Sequence, residues 1–431
     1  MAQDVNVHVQ HLTRVEGHGN IIYNTKNGNV EKVLWEVDEA PRFFEAMLRN
    51  KRYTQLSHIT SRICGICSIG HSLASLKATE AAMGVRISKQ TELLRRLALH
   101  GENLQSHSLH VGYLVAPDLL GAPSVVPLVK SHKDAVLKIV SLHRLANYLS
   151  DLTCGRTTHP ITLEVGGFTM IPTEKQLKEA REQLEIGVEV TRDVAGIVHA
   201  NADKLPDFVR ETEFIGLVND DLYPLYDGDI SSTDGGRWPD DKYLELTNEY
   251  VVPQSTAKYT KHNRDSFMVG ALARFNLNYD RLTPEAKGVA EMFKLEPVCH
   301  NPFMNNIAQL VEIMDSLIDS IEIIDQLLER GLKEEKSKVE VKAGRGVGAV
   351  EVPRGILFHD YTINDLGNCV KANCIIPTNQ NHGNIQKDFE AIGPTLVERP
   401  EKEIELTLEM LVRAYDPCIS CSTHYLDVEF R

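Results

Sequence analysis

Apolar residues recur every three to four positions over long stretches of this chain, the spacing that puts one face of a helix against a core. Over 305–330 the stripe runs Ile307, Leu310, Val311, Met314, Leu317, Ile318, Ile321, Ile324, Leu327 and Leu328, and it stops at Gly331. Over 130–152 it runs Val136, Ile139, Val140, Leu142, Leu145, Leu149 and Leu152. Stretches 92–114 and 174–200 keep the same period, and the Ala/Leu-rich 72–83 ends at Gly84, a helix stop. Helices of this length predict a mainly α fold: a long-helix bundle core with small peripheral β-sheets, and space between helices for a cofactor.

The remainder is patterned differently. Val5, Val7 and Val9 alternate with Asn6, His8 and Gln10, and 19–37 has hairpin character around Asn27-Gly28-Asn29, so 5–40 reads as a β-rich N-terminal stretch. Residues 201–282 are richer in Asp, Gly, Pro and Tyr and are expected to form an irregular surface insertion. From Lys342 the texture changes again. Gly344-Arg345-Gly346-Val347-Gly348 leads into Glu351-Val352-Pro353-Arg354-Gly355 and a strand-like 373–376. Its glycines permit close backbone approach, but a dinucleotide loop lacks its strand–turn–helix context here. No internal repeat divides the chain, and one large domain over 1–431 is expected.

Composition narrows the function. The 431 residues are 42% hydrophobic and 25% charged, as in ordinary globular proteins. A formal net charge of −14 argues against a nucleic-acid surface and against docking on anionic lipid. The apolar run 111–129 is no membrane span, because Asp118 and three prolines, Pro117, Pro123 and Pro127, would leave backbone groups unpaired in lipid. A buried, kinked connection is expected instead. The first ten residues carry no export signal, which by itself does not settle the compartment.

Eight cysteines are present, and in a long chain of this kind reduced thiols are expected. Four of them form two CxxC pairs: Arg62-Ile63-Cys64-Gly65-Ile66-Cys67, followed by His71, and Asp416-Pro417-Cys418-Ile419-Ser420-Cys421, followed by His424. Each pair can turn two sulfurs to one metal, and soft thiolates select nickel, iron, zinc or copper(I). A structural Zn–Cys₄ site is one reading, although such sites usually hold both pairs within a small module. A thioredoxin-like dithiol lacks its βαβ context. Cys154, Cys299, Cys369 and Cys374 form no such pair and read by default as small buried hydrophobes.

These motifs resemble the two that define large subunits of [NiFe]-hydrogenases. Thr13-Arg14-Val15-Glu16-Gly17-His18, Phe43-Phe44-Glu45, Gly155-Arg156-Thr157-Thr158-His159-Pro160, Val352-Pro353-Arg354-Gly355 and Ile375-Ile376-Pro377-Thr378 follow the same family's order. The resemblance implies the large-subunit fold and its chemistry: nickel on four thiolates, two of them bridging to an iron that carries two cyanides and one CO. By position, Cys64 and Cys418 would be terminal on nickel, and Cys67 and Cys421 the bridges. Glu16 resembles the gate that takes protons from the Cys418 position, work suited to a carboxylate of tuned pKa. Arg354, after Pro353, and Thr378 would bind the two cyanides, Asp416 would hold Arg354, and His71 would steady a bridging sulfur. Glu45, the backbone near Cys374 and His424 would hold magnesium or iron, so that 342–431 encloses the metals.

Two features depart from the membrane-linked members. Gln105-Ser106-His107 stands where those have an Asp between two histidines, which points to the soluble, multi-subunit branch and, with no export signal at the start, to the cytoplasm. Tyr425 to Arg431 follow the histidine after which precursors are usually cut, so a retained tail and an unprocessed precursor are both open. The resemblance further implies a small subunit with iron–sulfur clusters, and flavin/NAD(P)- or ferredoxin-linked diaphorase partners, since this chain has too few spare cysteines for an electron wire. The rivals are a non-catalytic H₂ sensor, which would keep the whole site, and a quinone-reductase subunit of the complex I type, whose relatives have lost the cysteine pairs.

Overall fold

The apolar stripes become helices in the computed structural model, which describes residues 4–423. Lys89–Leu109, Lys133–Cys154, Glu174–His199 and Asn305–Arg330 pack as a closed ring, each against the next and the last against the first. Local chemistry sets their ends. Ser88 Oγ accepts from Thr91 N at 3.1 Å. Thr173 and Gln176 cap one another across the first turn of Glu174–His199. Gly84 and Gly155 close their helices at φ 69° and 71°, in the left-handed region that glycine tolerates. Of the 305–330 stripe, Ile307, Leu310, Val311, Met314, Leu317, Ile324 and Leu327 are buried, and Ile318, Ile321 and Leu328 lie at its edge.

Three small sheets flank this bundle, with a two-stranded ribbon beside them. The N-terminal sheet has the order Asn6–Val9, Gly19–Lys26, Asn29–Val37, Ser255–Tyr259, Tyr250–Val252, its hairpin turning at Asn27 and Gly28 with φ 51° and 76°. A second joins Phe267–Met268, Glu213–Val218, Asp229–Ser232 and Arg237–Trp238. The third is an antiparallel meander of Gly344–Val352, Gly355–Ile363 and Cys369–Ile375.

The alternating glycines of 344–348 form the face of the meander that lies on the helix Ser68–Met83. A Cβ at Gly346 would sit 2.3 Å from both Ala78 O and Ala82 N. The meander can therefore approach the helix backbone closely, and that helix carries the first cysteine pair at its start. The run 111–129 breaks into His110–Val115, a π-helical turn, then Ala116–Leu119 and Val125–Ser131. No helix among the described residues is long and apolar enough to cross a membrane.

Residues 201–282 differ from expectation. They carry six strands and the helix Ala271–Asn278, and Ile215, Leu217, Ile230, Tyr243 and Phe267 form a second core with Val347, Ile356 and Phe358 of the meander. The segment was not legible because its strands are two to six residues long. The longest, Glu213–Val218, is buried on both faces through Leu217, so no alternation marks it.

Candidate metal centre

Both CxxC pairs sit where chain turns into helix. Cys67 is the N-cap of Ser68–Met83, and Cys418 is the N-cap of the single turn Ile419–Ser422. The N-terminal stretch joins the second motif: Glu16 forms a parallel β-bridge with Cys418, and Ile419 N donates to Glu16 O at 2.9 Å. Arg42 then pins the motifs together, its Nη2 donating to Ile63 O at 2.8 Å and to Ser420 O. Sulfurs 354 residues apart thereby meet, Cys64 Sγ lying 3.5 Å from Cys418 Sγ. The sulfurs of Cys64, Cys418 and Cys421 all lie within 4.8 Å of one another and are buried. Cys67 adjoins the cluster through a hydrogen bond with Cys64.

The sulfurs of Cys418 and Cys421 lie against one another, so the second pair faces the same point as Cys64. The one-turn helix explains the contact, since it folds the pair back to a Cα–Cα distance of 5.5 Å. The surroundings of Cys64 favour a thiolate. Ile66 N and Cys67 N donate to its sulfur at 3.2 and 3.1 Å. The hydrogen bond from Cys67 lowers its pKa, burial opposes this, and the charge of Arg354 lowers it further. Buried soft donors with N–H groups aimed at one of them fit a thiolate-bound metal.

Arg354 lies beside these sulfurs and is buried to 4% exposure. Its Nη2 donates to Asp416 Oδ1 at 2.7 Å, its Nε to Asp416 O at 2.5 Å, and its Nη1 to Ser106 Oγ at 3.3 Å. Asp416 adopts φ 49° and also accepts from Gln309 Nε2 at 3.1 Å. Ser106 thus gives the guanidinium a neutral acceptor. On another side, Glu16 Oε2 lies 3.1 Å from Cys418 Sγ and accepts from Ser420 N at 3.1 Å, while Oε1 accepts from Ser420 Oγ. Thr378 Oγ1 accepts from Cys418 N at 3.0 Å.

A family model described as nickel-dependent hydrogenase matches residues 42–133 and 302–424. The alpha chain of sulfhydrogenase 2 from Pyrococcus furiosus is 31% identical over 424 residues, covering 97% of this chain and 99% of that protein. The chain belongs to the nickel-dependent hydrogenase family. A component of the F420-non-reducing hydrogenase of Methanothermobacter thermautotrophicus is also 31% identical, over 99% of this chain and 96% of its own length. A solved NAD⁺-reducing [NiFe]-hydrogenase in its H₂-reduced state superposes with a TM-score of 0.88 at 26% identity, covering 98% of this chain and 100% of that one. A [NiFeSe]-hydrogenase of Dm. baculatum, at 22% identity and a TM-score of 0.80, shares the fold. The protein is accordingly an enzyme of hydrogen activation with the hydrogenase large-subunit fold, and its family implies a nickel–iron centre.

Other hydrogenase positions come together less completely. His71 Nδ1 lies 3.1 Å from His359 Nε2, and His359 Nδ1 lies 2.6 Å from the Tyr361 hydroxyl. Glu45 opens the helix Phe44–Leu48 and neighbours Cys374, whose thiol is pushed well up by burial and then by the Glu45 charge. His424 and the 425–431 tail lie outside the described residues.

Two site residues escaped the sequence. Arg42 is one, hidden as a single cation beside Phe43-Phe44-Glu45. The other is Glu102, which accepts from Ile69 N at 2.7 Å and from Gly70 N, capping the helix that carries Cys67. Burial raises its pKa to about 8, with the Cys64 charge adding to the rise. The available signal was a carboxylate four residues after Ala98 and four before Ser106, on the buried face of Lys89–Leu109.

Proposed function

We propose that this chain is the catalytic subunit of a [NiFe]-hydrogenase that cleaves H₂ reversibly and heterolytically to two protons and two electrons. The observation that carries this reading is the sulfur cluster bounded by an arginine–aspartate pair and by a carboxylate. Cys64, Cys67, Cys418 and Cys421 would hold nickel, with Cys67 and Cys421 shared with an iron bearing two cyanides and one CO. That group, when bound, supplies the Lewis acidity and redox capacity on which H₂ splits. Arg354 and Thr378 would hydrogen-bond the cyanides beside Pro353, and Asp416 keeps Arg354 from turning away. Glu16 takes the proton released at Cys418, its nearest sulfur, and passes it outward. Glu45, the chain near Cys374 and His424 would hold magnesium or iron against the end of the chain.

The electrons leave through iron–sulfur clusters of a partner subunit, towards NAD(P), ferredoxin or a related acceptor. Three names support this. The Pyrococcus relative is an alpha chain by name, a relative from Archaeoglobus profundus is named an iron-sulfur subunit of an F420-non-reducing hydrogenase, and the solved neighbour is named NAD⁺-reducing. A cytoplasmic complex is the corresponding location. Elemental analysis with infrared spectroscopy of the purified complex tests the reading. Nickel together with CO and cyanide bands is expected, and zinc without such bands would end it.

A further inference from the structure

Arg274, in the helix Ala271–Asn278, is fully buried, and each of its five N–H groups meets one acceptor. Nε and Nη2 fork onto Glu312 Oε1 and Oε2, both at 2.6 Å. Nη1 donates to Glu351 Oε2 at 2.8 Å and to Val352 O at 2.9 Å, and Nη2 also donates to Pro353 O at 3.1 Å. The last two acceptors matter most. They are consecutive carbonyls, immediately before Arg354, in the tight turn where Val352 pairs with Gly355.

One guanidinium gripping both carbonyls sets ψ of Val352 and of Pro353, and the proline ring sets its own φ. The Cα of Arg354 is thereby placed. Val269-Gly270 closes the turn from the other side, where a Cβ on Gly355 would come within 2.5 Å of Val269 Cγ2. The grip is itself braced. Glu312 accepts from the Tyr223 hydroxyl at 2.6 Å on Oε1, and its Oε2 lies 2.7 Å from His107 Nε2, next to the Ser106 that accepts from Arg354. Burial would raise the Glu312 carboxyl, but the Arg274 charge and fork hold it far below the usual range, so the pair stays ionised.

We infer that Arg274 is a positioning residue of this hydrogenase: it fixes the backbone from which Arg354 projects, while Asp416 and Ser106 fix the other end of that side chain. This deepens the proposed function and rests on Arg354 facing the iron's cyanides. Arg274 lies between the two segments that match the family model, in the part of the chain where the sequence promised only surface loops. Lysine cannot replace it, having three donors on a point-like ammonium where five acceptors surround a planar fork.

The test compares purified complexes of wild type, Arg274→Lys, Glu312→Gln and Arg95→Lys. Arg95 is an equally buried arginine whose bonds go to Glu80, the Tyr226 hydroxyl and Glu164 O, none of them in the turn. Each is read by infrared cyanide bands, by kcat and KM for H₂, and by thermal unfolding. Both arginine variants should melt lower. Arg274→Lys alone of the two should shift the cyanide bands, and its kcat should fall ~10- to 100-fold with KM little changed. Should that variant not assemble, Glu312→Gln decides by the same bands, because it loosens the fork from a different helix. Wild-type bands that reappear unshifted in the Arg274→Lys and Glu312→Gln complexes overturn the inference alone. A wild-type complex without cyanide bands overturns the function reading and this inference with it.

Discussion

Glu16 touches the metal-site motif with its backbone and its side chain together: the β-bridge to Cys418 places its Cα, and the bonds from Ser420 N and Oγ hold its carboxylate beside the Cys418 sulfur. Replacing it by glutamine keeps the size and the hydrogen bond from Ser420 N but removes the ability to accept and release a proton. Glu16→Gln should leave nickel and iron content unchanged and slow H₂/D⁺ exchange by ~10²- to 10⁴-fold. Exchange at the wild-type rate would remove Glu16 from the proton path. At this scale motif context made Glu16, Arg354 and Asp416 legible, because each lies in a short string of distinctive residues. Glu102 and Arg274 had no such string. Each is one charged residue in a helix, and only its burial against another segment gives it meaning.

Between elements, the controlling contact is the glycine face of Gly344–Val352 on the helix Ser68–Met83. Any side chain at Gly346 collides with helix backbone, which cannot rotate away as a side-chain tip can. Gly346→Ala should therefore cost ~1–3 kcal/mol in unfolding free energy and lower nickel retention, since the same helix starts at Cys67. Gly196→Ala is the counterpart: nothing lies within 4 Å of its added Cβ in Glu174–His199, so it should gain up to ~1 kcal/mol. Paired thermal melts of the two variants check both signs. The helices were legible because a 3.6-residue period persists over five or more turns. The meander and the second core were not, because strands buried on both faces carry no alternation and two-residue strands carry no period at all.

Over the whole molecule, the bundle buries charge as well as apolar surface, and this gives folding a pH dependence. Burial, helped by the charge of Asp319, raises the Asp315 carboxyl from 3.8 to about 7. The folded protein therefore keeps a proton that the unfolded chain releases, and stability from this group falls as pH rises from 3.8 through about 7. Asp315→Asn imitates the protonated form and retains an oxygen for Thr283 N. It should melt above wild type by an amount that grows from pH 5 to pH 8, reaching about a few kcal/mol, and a parallel pair of curves would refute this. The sequence by itself determined the helices, through their apolar period, and the chemistry of the centre, through two CxxC pairs and the motifs around them. Tertiary structure alone decided how those pairs meet, because Arg42, the Glu16 bridge and the glycine-faced meander act between segments far apart in the chain. It alone also decided which charges are buried, since burial depends on what packs against a residue and not on its neighbours in sequence.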